Sequence, residues 1–276
     1  MIQLEQAEDG VAFSTGMAAI YTTFAALLST GDHIVSASSI FGSSHTLFTK
    51  YFPKWGIETT YFNMNEPETI EDKIRASTKI LFVETPSNPG VDIIDLELLS
   101  GIAQKHGLLL IVDNSFATPV VQKPIFFGAD LVLHSATKLI DGQGRVLGGV
   151  TVGRKDLIRE IYLFARNTGS SLSPFNAWIL SKSLETLSLR VEKHAQNALE
   201  IALFLEKHPE VAAVKYPFLR SHPQYKTAKK QMRWGGNIIA LEIKGGKDAG
   251  KQFIDRIRLC SLSANLGDTR TIVTHP

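Results

Sequence analysis

The run 108-LLLIVDNSFATPVVQKPIFFGADLVLHSATKLIDGQGRVLGG-149 decides the fold. Its opening residues are almost unbroken in apolar side chains and lead directly to Asp113. A second short apolar run, Leu131 to Leu133, leads into His134-Ser135-Ala136-Thr137-Lys138, and glycines follow at 142, 144, 148 and 149. Unbroken apolar runs of this length are strands buried on both faces, as in parallel sheets covered by helices. Polar residues just beyond such strands predict a site at the carboxyl edge of an α/β sheet.

Working outward, 79-KILFVE-84 is a third buried strand, with Ile57 to Phe62 and His33 to Ala37 before it. Helical spacing covers 17-MAAIYTTFAALLS-29, stopped by Gly31, and 43-SSHTLFTKYFPKW-55, ending near Pro53. A short helix is expected over Pro67 to Arg75, and Asp95 caps one running to about His106. Strand–helix–strand alternation at these spacings predicts parallel crossovers, with helices on both faces of the sheet. Downstream, Gly144 to Val152 predicts a strand in an antiparallel hairpin over the Lys138 loop, followed by a helix over Lys155 to Arg166.

The apolar pattern of 174–208 exceeds an ordinary globular helix, so it is expected to kink or to link two domains near 190–200. Residues 1–195 then form a large domain and 196–276 the start of a smaller α/β domain. That second part carries strands over 211–216 and 237–243 and a helix from Lys247 to about Arg258. The start, MIQLEQAEDG, reads as the polar tail of a helix, and TIVTHP stops just after a short strand. Both ends look cut, and a fragment is the expectation.

The chain has 276 residues, 44% hydrophobic and 20% charged, an ordinary composition for a soluble domain with a sizeable core. Lys plus Arg number 29 against 27 for Asp plus Glu, scattered along the chain, which argues against a nucleic-acid or membrane surface. One cysteine excludes an internal disulfide framework and suits a reducing, cytoplasmic compartment. No apolar run approaches the ~20 residues of a membrane span, and the start lacks the layout of a signal peptide. The histidines, acids and single cysteine show no metal-ligand spacing, so no metal is expected.

The chemistry centres on Lys138. A lysine amine condenses with aldehydes, and burial leaves part of it neutral. Ser135 and Thr137 place two hydroxyls one residue apart, suited to two oxygens of one phosphate, and the nearby glycines admit close backbone approach. Gly16 either permits a tight turn or opens a helix whose N–H groups receive that phosphate. Asp113, either a cap or a catalytic acid, is placed to pair with a ring nitrogen and keep it protonated. Asn88, between Pro86 and Pro89, is a turn residue or an amide donor to a cofactor oxygen. Phe41 is expected in the core, or as a stacking platform where the chain folds over a planar ring.

In the same order along essentially the whole chain, four motifs resemble those of the Cys/Met metabolism family of pyridoxal-phosphate enzymes. They are Ser14-Thr15-Gly16-Met17-Ala18-Ala19-Ile20, Glu84-Thr85-Pro86-Ser87-Asn88-Pro89, Val112-Asp113-Asn114, and His134 to Lys138 with the glycines behind it. The resemblance implies an aspartate-aminotransferase-like (fold type I) large domain with a mostly parallel sheet, plus part of a C-terminal domain. It implies pyridoxal 5'-phosphate as cofactor, anchored covalently by Lys138, which then moves protons. Asp113 is implied against the pyridine nitrogen, Asn88 near the phenolic oxygen, and Phe41 over the ring. The phosphate falls to the backbone of Gly16 and Met17 with Ser135 and Thr137. Arg145 is given no catalytic role.

Within that family, Phe41-Gly42 stands where most members have Tyr-Gly, and Asn265 where many carry a serine near the substrate carboxylate. With 41-FGSSHTLFTKYFPKWGIE-58, 141-DGQGRVLGG-149 and 264-ANLGDTRTIVTHP-276, these resemble the sulfhydrylases acting on O-succinylhomoserine. The implied reaction is γ-replacement on O-succinyl- or O-acetylhomoserine by sulfide, giving homocysteine for methionine biosynthesis. A cystathionine γ-synthase, a γ-lyase or an inactive truncated relative are the alternatives. The implied partners are a small amino-acid substrate, sulfide and further copies of the chain as a dimer of dimers. The family's N-terminal Tyr and Arg, which reach a neighbouring subunit's phosphate, and its carboxylate-binding arginine fall outside the sequence.

Overall fold

The computed structural model describes residues 1–275. The chain opens with one helical turn, α1 (Ile2–Glu5), and an extended β1 (Asp9–Phe13), then enters α2 (Gly16–Leu27) and β2 (His33–Ala37). A helical segment starts as α3 (Gly42–Thr46) and passes through a π turn (Leu47–Tyr51) into a 3-10 turn (Phe52–Trp55). β3 (Glu58–Phe62), β4 (Thr78–Glu84), α4 (Leu96–His106), β5 (Leu109–Asp113), α5 (Thr118–Val121), β6 (Leu131–Ser135) and β7 (Gly149–Gly153) complete the large sheet. Its spatial order is β1-β7-β6-β5-β4-β2-β3; β2 to β6 are mutually parallel, and β7 runs antiparallel to both its neighbours.

The central strands are fully buried, which is why they read as uninterrupted apolar runs: Ile80 to Val83, Leu110 to Val112 and Leu131 to Leu133 are 1% exposed or less. On one side an aromatic cluster fills the space between helix and sheet. Phe24 of α2 meets Phe48 at 4.8 Å and the edge of Phe82 at 5.2 Å. Asp95 caps α4 by accepting the amides of Glu97 and Leu98, and Gly107 closes it in the left-handed region. α6 (Lys155–Thr168) buries Ile158, Ile161 and Ala165, spaced three and four apart, and packs beside α2.

The expected long helix breaks at 185–186 into α7 (Pro174–Leu184) and α8 (Leu187–Leu205). α8 then continues unbroken through the expected junction near 190–200. Its first half, with Leu187 and Val191, packs on Ile93, Ala117, Val121 and Leu139. Its second half, with Ala198 and Ala202, packs on Val214, Tyr216 and Leu219. β8 (Val211–Lys215) pairs antiparallel with β9 (Ala240–Ile243); α9 (Tyr225–Gln231) lies between them in the chain, and α10 (Gly246–Arg256) packs on β9. Two short strands, β10 (Ser261–Leu262) and β11 (Ile272–Val273), lie parallel at the end.

Three expectations shift. The 43–55 segment ends near Pro53 as expected, at Trp55 before Gly56 in the left-handed region, but it is not one α-helix: α3 gives way at Leu47 to the π turn and then to the 3-10 turn. Pro53 is tolerated at the first turn of the 3-10 piece, where no N–H is needed. Pro67 to Arg75 forms two separate 3-10 turns instead of one helix. The first helix stops at Leu27 as the chain turns extended at Leu28, before Gly31 takes its positive φ of 96°. No helix among the described residues is long and apolar enough to cross a membrane.

One close approach ties the sheet to the start of α2. Gly149 pairs with Phe13 and Ser135, and a Cβ there would collide with the Thr15 carbonyl and lie 2.9 Å from the Gly16 nitrogen. Both obstacles are backbone, so neither swings aside. Gly149→Ala is expected to destabilise the protein by about 3 kcal/mol, measured as a shift of the denaturant midpoint.

Candidate active site

The carboxyl ends of β4, β5 and β6 and the amino end of α2 meet around one cavity of about 190 Å³. Its walls include Gly16, Met17, Phe41, Glu84, Asn88, Asp113, Ser135, Thr137 and Lys138. The fold therefore brings eight of the nine predicted site residues to one cavity. The ninth, Asn265, reaches it through Lys138: its Oδ1 accepts from the Lys138 Nζ at 2.7 Å.

At the α2 end, the Thr15 hydroxyl accepts the Ala18 N–H at 2.9 Å and the Thr15 carbonyl accepts the Ala19 N–H. The Gly16 and Met17 amides, in the first turn, have no intrahelical acceptor and sit at the positive end of the helix. A Cβ on Gly16 would fall 2.7 Å from the Ser135 Cβ and 2.8 Å from its Oγ, so only glycine lets the helix start lie against β6. Free amides, a helix N-terminus and the Ser135 hydroxyl form a cradle for an anion. The Thr137 hydroxyl is engaged within the loop, accepting the Gly148 N–H at 3.2 Å and facing the Gly148 carbonyl at 3.3 Å.

Asp113 and Glu84 are direct partners in the parallel ladder, both carboxyls buried. Asp113 Oδ1 accepts the Ser115 amide at 2.9 Å and its hydroxyl at 2.6 Å, which fixes the carboxyl and leaves the other oxygen for the cavity. Burial pushes the Asp113 carboxyl up, against the Ser115 bonds and the charges of His134 and Lys138. Burial, then the Asp113 charge, pushes Glu84 well above the carboxylate range; the Phe41 amide, bonded to its Oε2 at 2.7 Å, and Lys138 pull the other way. Burial lowers the Lys138 ammonium, with Glu84 and Asp113 opposing.

Sequence reasoning missed Glu84 and Ser115 as site residues. Glu84 carried the same signal as Asp113, an acid closing an unbroken apolar strand. Its raised pKa has a testable consequence. A carboxyl whose folded pKa lies above the unfolded one contributes stability at acid pH that is lost as pH rises through the folded value. Glu84→Gln retains an oxygen for the Phe41 amide and does not titrate. The cofactor-free variant is expected to gain stability relative to wild type as pH goes from 5 to 8. Its slope should differ by up to about 1.4 kcal/mol per pH unit, as one proton allows. Parallel stability–pH curves would contradict a proton held on Glu84.

Phe41, read as a core residue or as a platform over a planar ring, is 40% exposed and sits at the cavity rim as the residue before α3. Its backbone, not its ring, is what the core holds, through Glu84. Over the cavity lies the segment around Asn265, which no motif marked as a cover. Gly267, with φ of 92°, packs its backbone on Lys138; a Cβ there would meet the Lys138 Cα at 2.9 Å. The Thr269 amide donates to the Gly142 carbonyl at 2.8 Å and closes this contact. Arg145 turns away, bonding Asp141 and Ser183.

The family model for Cys/Met metabolism PLP-dependent enzymes matches residues 1–276. An O-succinylhomoserine sulfhydrylase of Pseudomonas aeruginosa is 45% identical over 273 residues, 99% of this chain and 68% of that protein. An L-methionine gamma-lyase of Porphyromonas gingivalis is 42% identical over 100% of this chain and 70% of that protein. The crystal structure of a cystathionine gamma-lyase from Lactobacillus plantarum, complexed with L-serine, superposes with a TM-score of 0.96 at 34% identity, covering 99% of this chain and 71% of that one.

Proposed function

We propose, from the premise that this chain belongs to the Cys/Met metabolism family of PLP-dependent enzymes, that it catalyses γ-replacement on an O-acylhomoserine with sulfide. The family's cofactor is pyridoxal phosphate, and the cavity suits it: an anion cradle at one end, a buried acid for the ring nitrogen, and a half-buried amine to anchor the aldehyde. The bound cofactor supplies an electron sink for carbanions next to the amino group.

In this assignment the Gly16 and Met17 amides and Ser135 hold the phosphate, with Thr137 shaping the loop. Asp113 holds a proton at the ring nitrogen, and Asn88 offers its amide to the phenolic oxygen. Lys138 would take the proton from the substrate α-carbon, give it up to the imine carbon of the bound cofactor, and so be free to take the next from the β-carbon. Desolvation supports this work by raising its neutral fraction, and the Asn265 bond aims the amine from the covering segment.

The observation that carries the substrate reading is Phe41 at the rim. A thiolate leaving from the γ-carbon needs a proton, because free thiols ionise only near pH 8.5. A carboxylate such as succinate leaves without one. A phenyl ring donates no proton, so this rim suits an ester better than methionine or cystathionine.

The deciding assay compares O-succinylhomoserine, O-acetylhomoserine and methionine, each with and without sulfide. Homocysteine formation from an ester, at least about tenfold faster in kcat/KM than 2-oxo acid release from methionine, is expected. Preferential attack on methionine would replace this reading with a γ-lyase.

A further inference from the structure

Behind the cavity runs a buried line of side-chain polar groups that none of the assigned roles uses. It starts at Glu5 of α1, whose Oε1 accepts from His134 Nε2 at 2.7 Å and from Asn114 Nδ2 at 3.0 Å. The second Asn114 hydrogen goes to the Gln122 carbonyl at 2.8 Å. The Gln122 amide donates to the Asn114 Oδ1 at 3.2 Å and to the Thr85 carbonyl at 2.9 Å. Gln122 Oε1 accepts from Gln231 of α9 at 3.0 Å, and Gln231 also holds the Ile94 carbonyl and the Leu96 amide. Glu5, Asn114, Gln122, His134 and Gln231 are all 5% exposed or less.

The line touches each strand end that carries site chemistry. Thr85 follows Glu84 and precedes Asn88; Asn114 follows Asp113; His134 precedes Ser135. The β4–β5 ladder ends at Glu84 and Asp113 and the β5–β6 ladder at Asp113 and Leu133, with one further backbone bond from the Asn114 amide to the Leu133 carbonyl; His134 and Ser135 are laddered only to β7, so beyond these points side-chain bonds link the three strand ends to one another. We infer that the Glu5–Asn114–Gln122–Gln231 line, with His134, is a positioning element that sets the relative placement of the three strand ends around the cofactor, and that Gln231, outside the cavity, acts on the site through it.

Two physical points support this. Every hydrogen of the Asn114 and Gln122 amides is placed on an acceptor, and hydrogen bonds in series polarise one another in a low-dielectric interior. The line also has stakes, since removing one member strands buried partners on either side at a cost of ~1–3 kcal/mol each. At Glu5 and His134 the balance is already incomplete: Glu5 Oε2 and His134 Nδ1 are buried without partners. Packing alone would favour apolar side chains at such positions.

The inference rests on the Lys138 cavity being the cofactor site, and the test separates the two. Gln231→Met and Gln122→Met, near in volume to glutamine, are made singly and together, with Gln122→Asn as the variant that keeps an amide. The cofactor-free proteins are compared by thermal unfolding, and pyridoxal phosphate binding is measured by equilibrium dialysis and by circular dichroism of the bound cofactor. The Gln231→Met protein is expected to bind pyridoxal phosphate about tenfold more weakly, ~1.4 kcal/mol. The double variant should be no worse than Gln122→Met, and Gln122→Asn, whose amide still donates and accepts, should recover part of the loss.

A lowered unfolding temperature with unchanged affinity and dichroism in the Gln231→Met protein overturns the inference, as do additive losses. Should Gln122→Met fail to fold, Gln231→Met alone still decides, because its side chain lines no part of the cavity. Lys138→Ala serves as the control. Loss of its covalent absorption band is expected whatever the line does, and a band that persists would sink the site assignment instead.

Discussion

Lys138→Ala is expected to lower kcat on the O-acylhomoserine proposed as substrate by about three orders of magnitude, with a smaller change in KM. The proton steps at adjacent carbons need one base held within reach of both, and among the described residues Lys138 is the only amine on the cavity wall. Its surroundings equip it for that task. Half-burial depresses its pKa, two acids behind it limit the depression, and Asn265 holds the amine from the covering segment. A general base of this kind contributes roughly 10²–10⁴-fold. Loss of the anchoring amine adds slower release of the cofactor from substrate and product. A primary amine added to the assay should restore part of the rate, since the cavity left by alanine accommodates one. Activity within tenfold of wild type would remove Lys138 from the chemistry altogether.

The sheet was legible because its central strands are buried on both faces, so KILFV and LLLIV carry no polar interruptions. The acids closing them marked the carboxyl edge, and the motifs placed Lys138, Ser135 and Gly16 there. Features built by distant pairings left no local trace. Glu5 lies 129 residues from His134, and nothing in a short helical turn announces that its acid is fully buried. Gly267 stands 129 residues from Lys138, and nothing in its local sequence announces that its backbone packs there. The break at 185–186 has neither proline nor glycine. It coincides with Arg190, whose guanidinium caps the carbonyls of Leu139, Ile140 and Ser183 and so joins the lysine loop to the turn between α7 and α8. Phe41 could be read two ways, as core on bulk alone or as a platform over a ring, and its place at the cavity rim agrees with the second.

Asp113→Asn is expected to cost about 10²–10³-fold in kcat, a size typical of removing one preorganised electrostatic partner from a closed site. The substitution preserves shape, and an amide oxygen still accepts the Ser115 amide and hydroxyl, so folding should be little affected. What goes is the negative charge that the proposed assignment sets against the ring nitrogen. That charge is held against a burial cost that raises the acid's pKa, with the Ser115 bonds, His134 and Lys138 as counterweights. Glu84, the ladder neighbour, shapes the same balance. Two adjacent buried carboxylates repel, so a proton kept on Glu84 lets Asp113 remain charged. Hence Asp113→Asn and Glu84→Gln should differ sharply: the first loses catalysis with little change in stability, and the second alters the pH dependence of stability and largely keeps catalysis. Reconstituting the Asp113→Asn protein with pyridoxal phosphate methylated on the ring nitrogen, a permanent positive charge, should recover a substantial part of kcat. If the methylated cofactor binds but gives no recovery, Asp113 acts through the geometry of the site rather than through its charge.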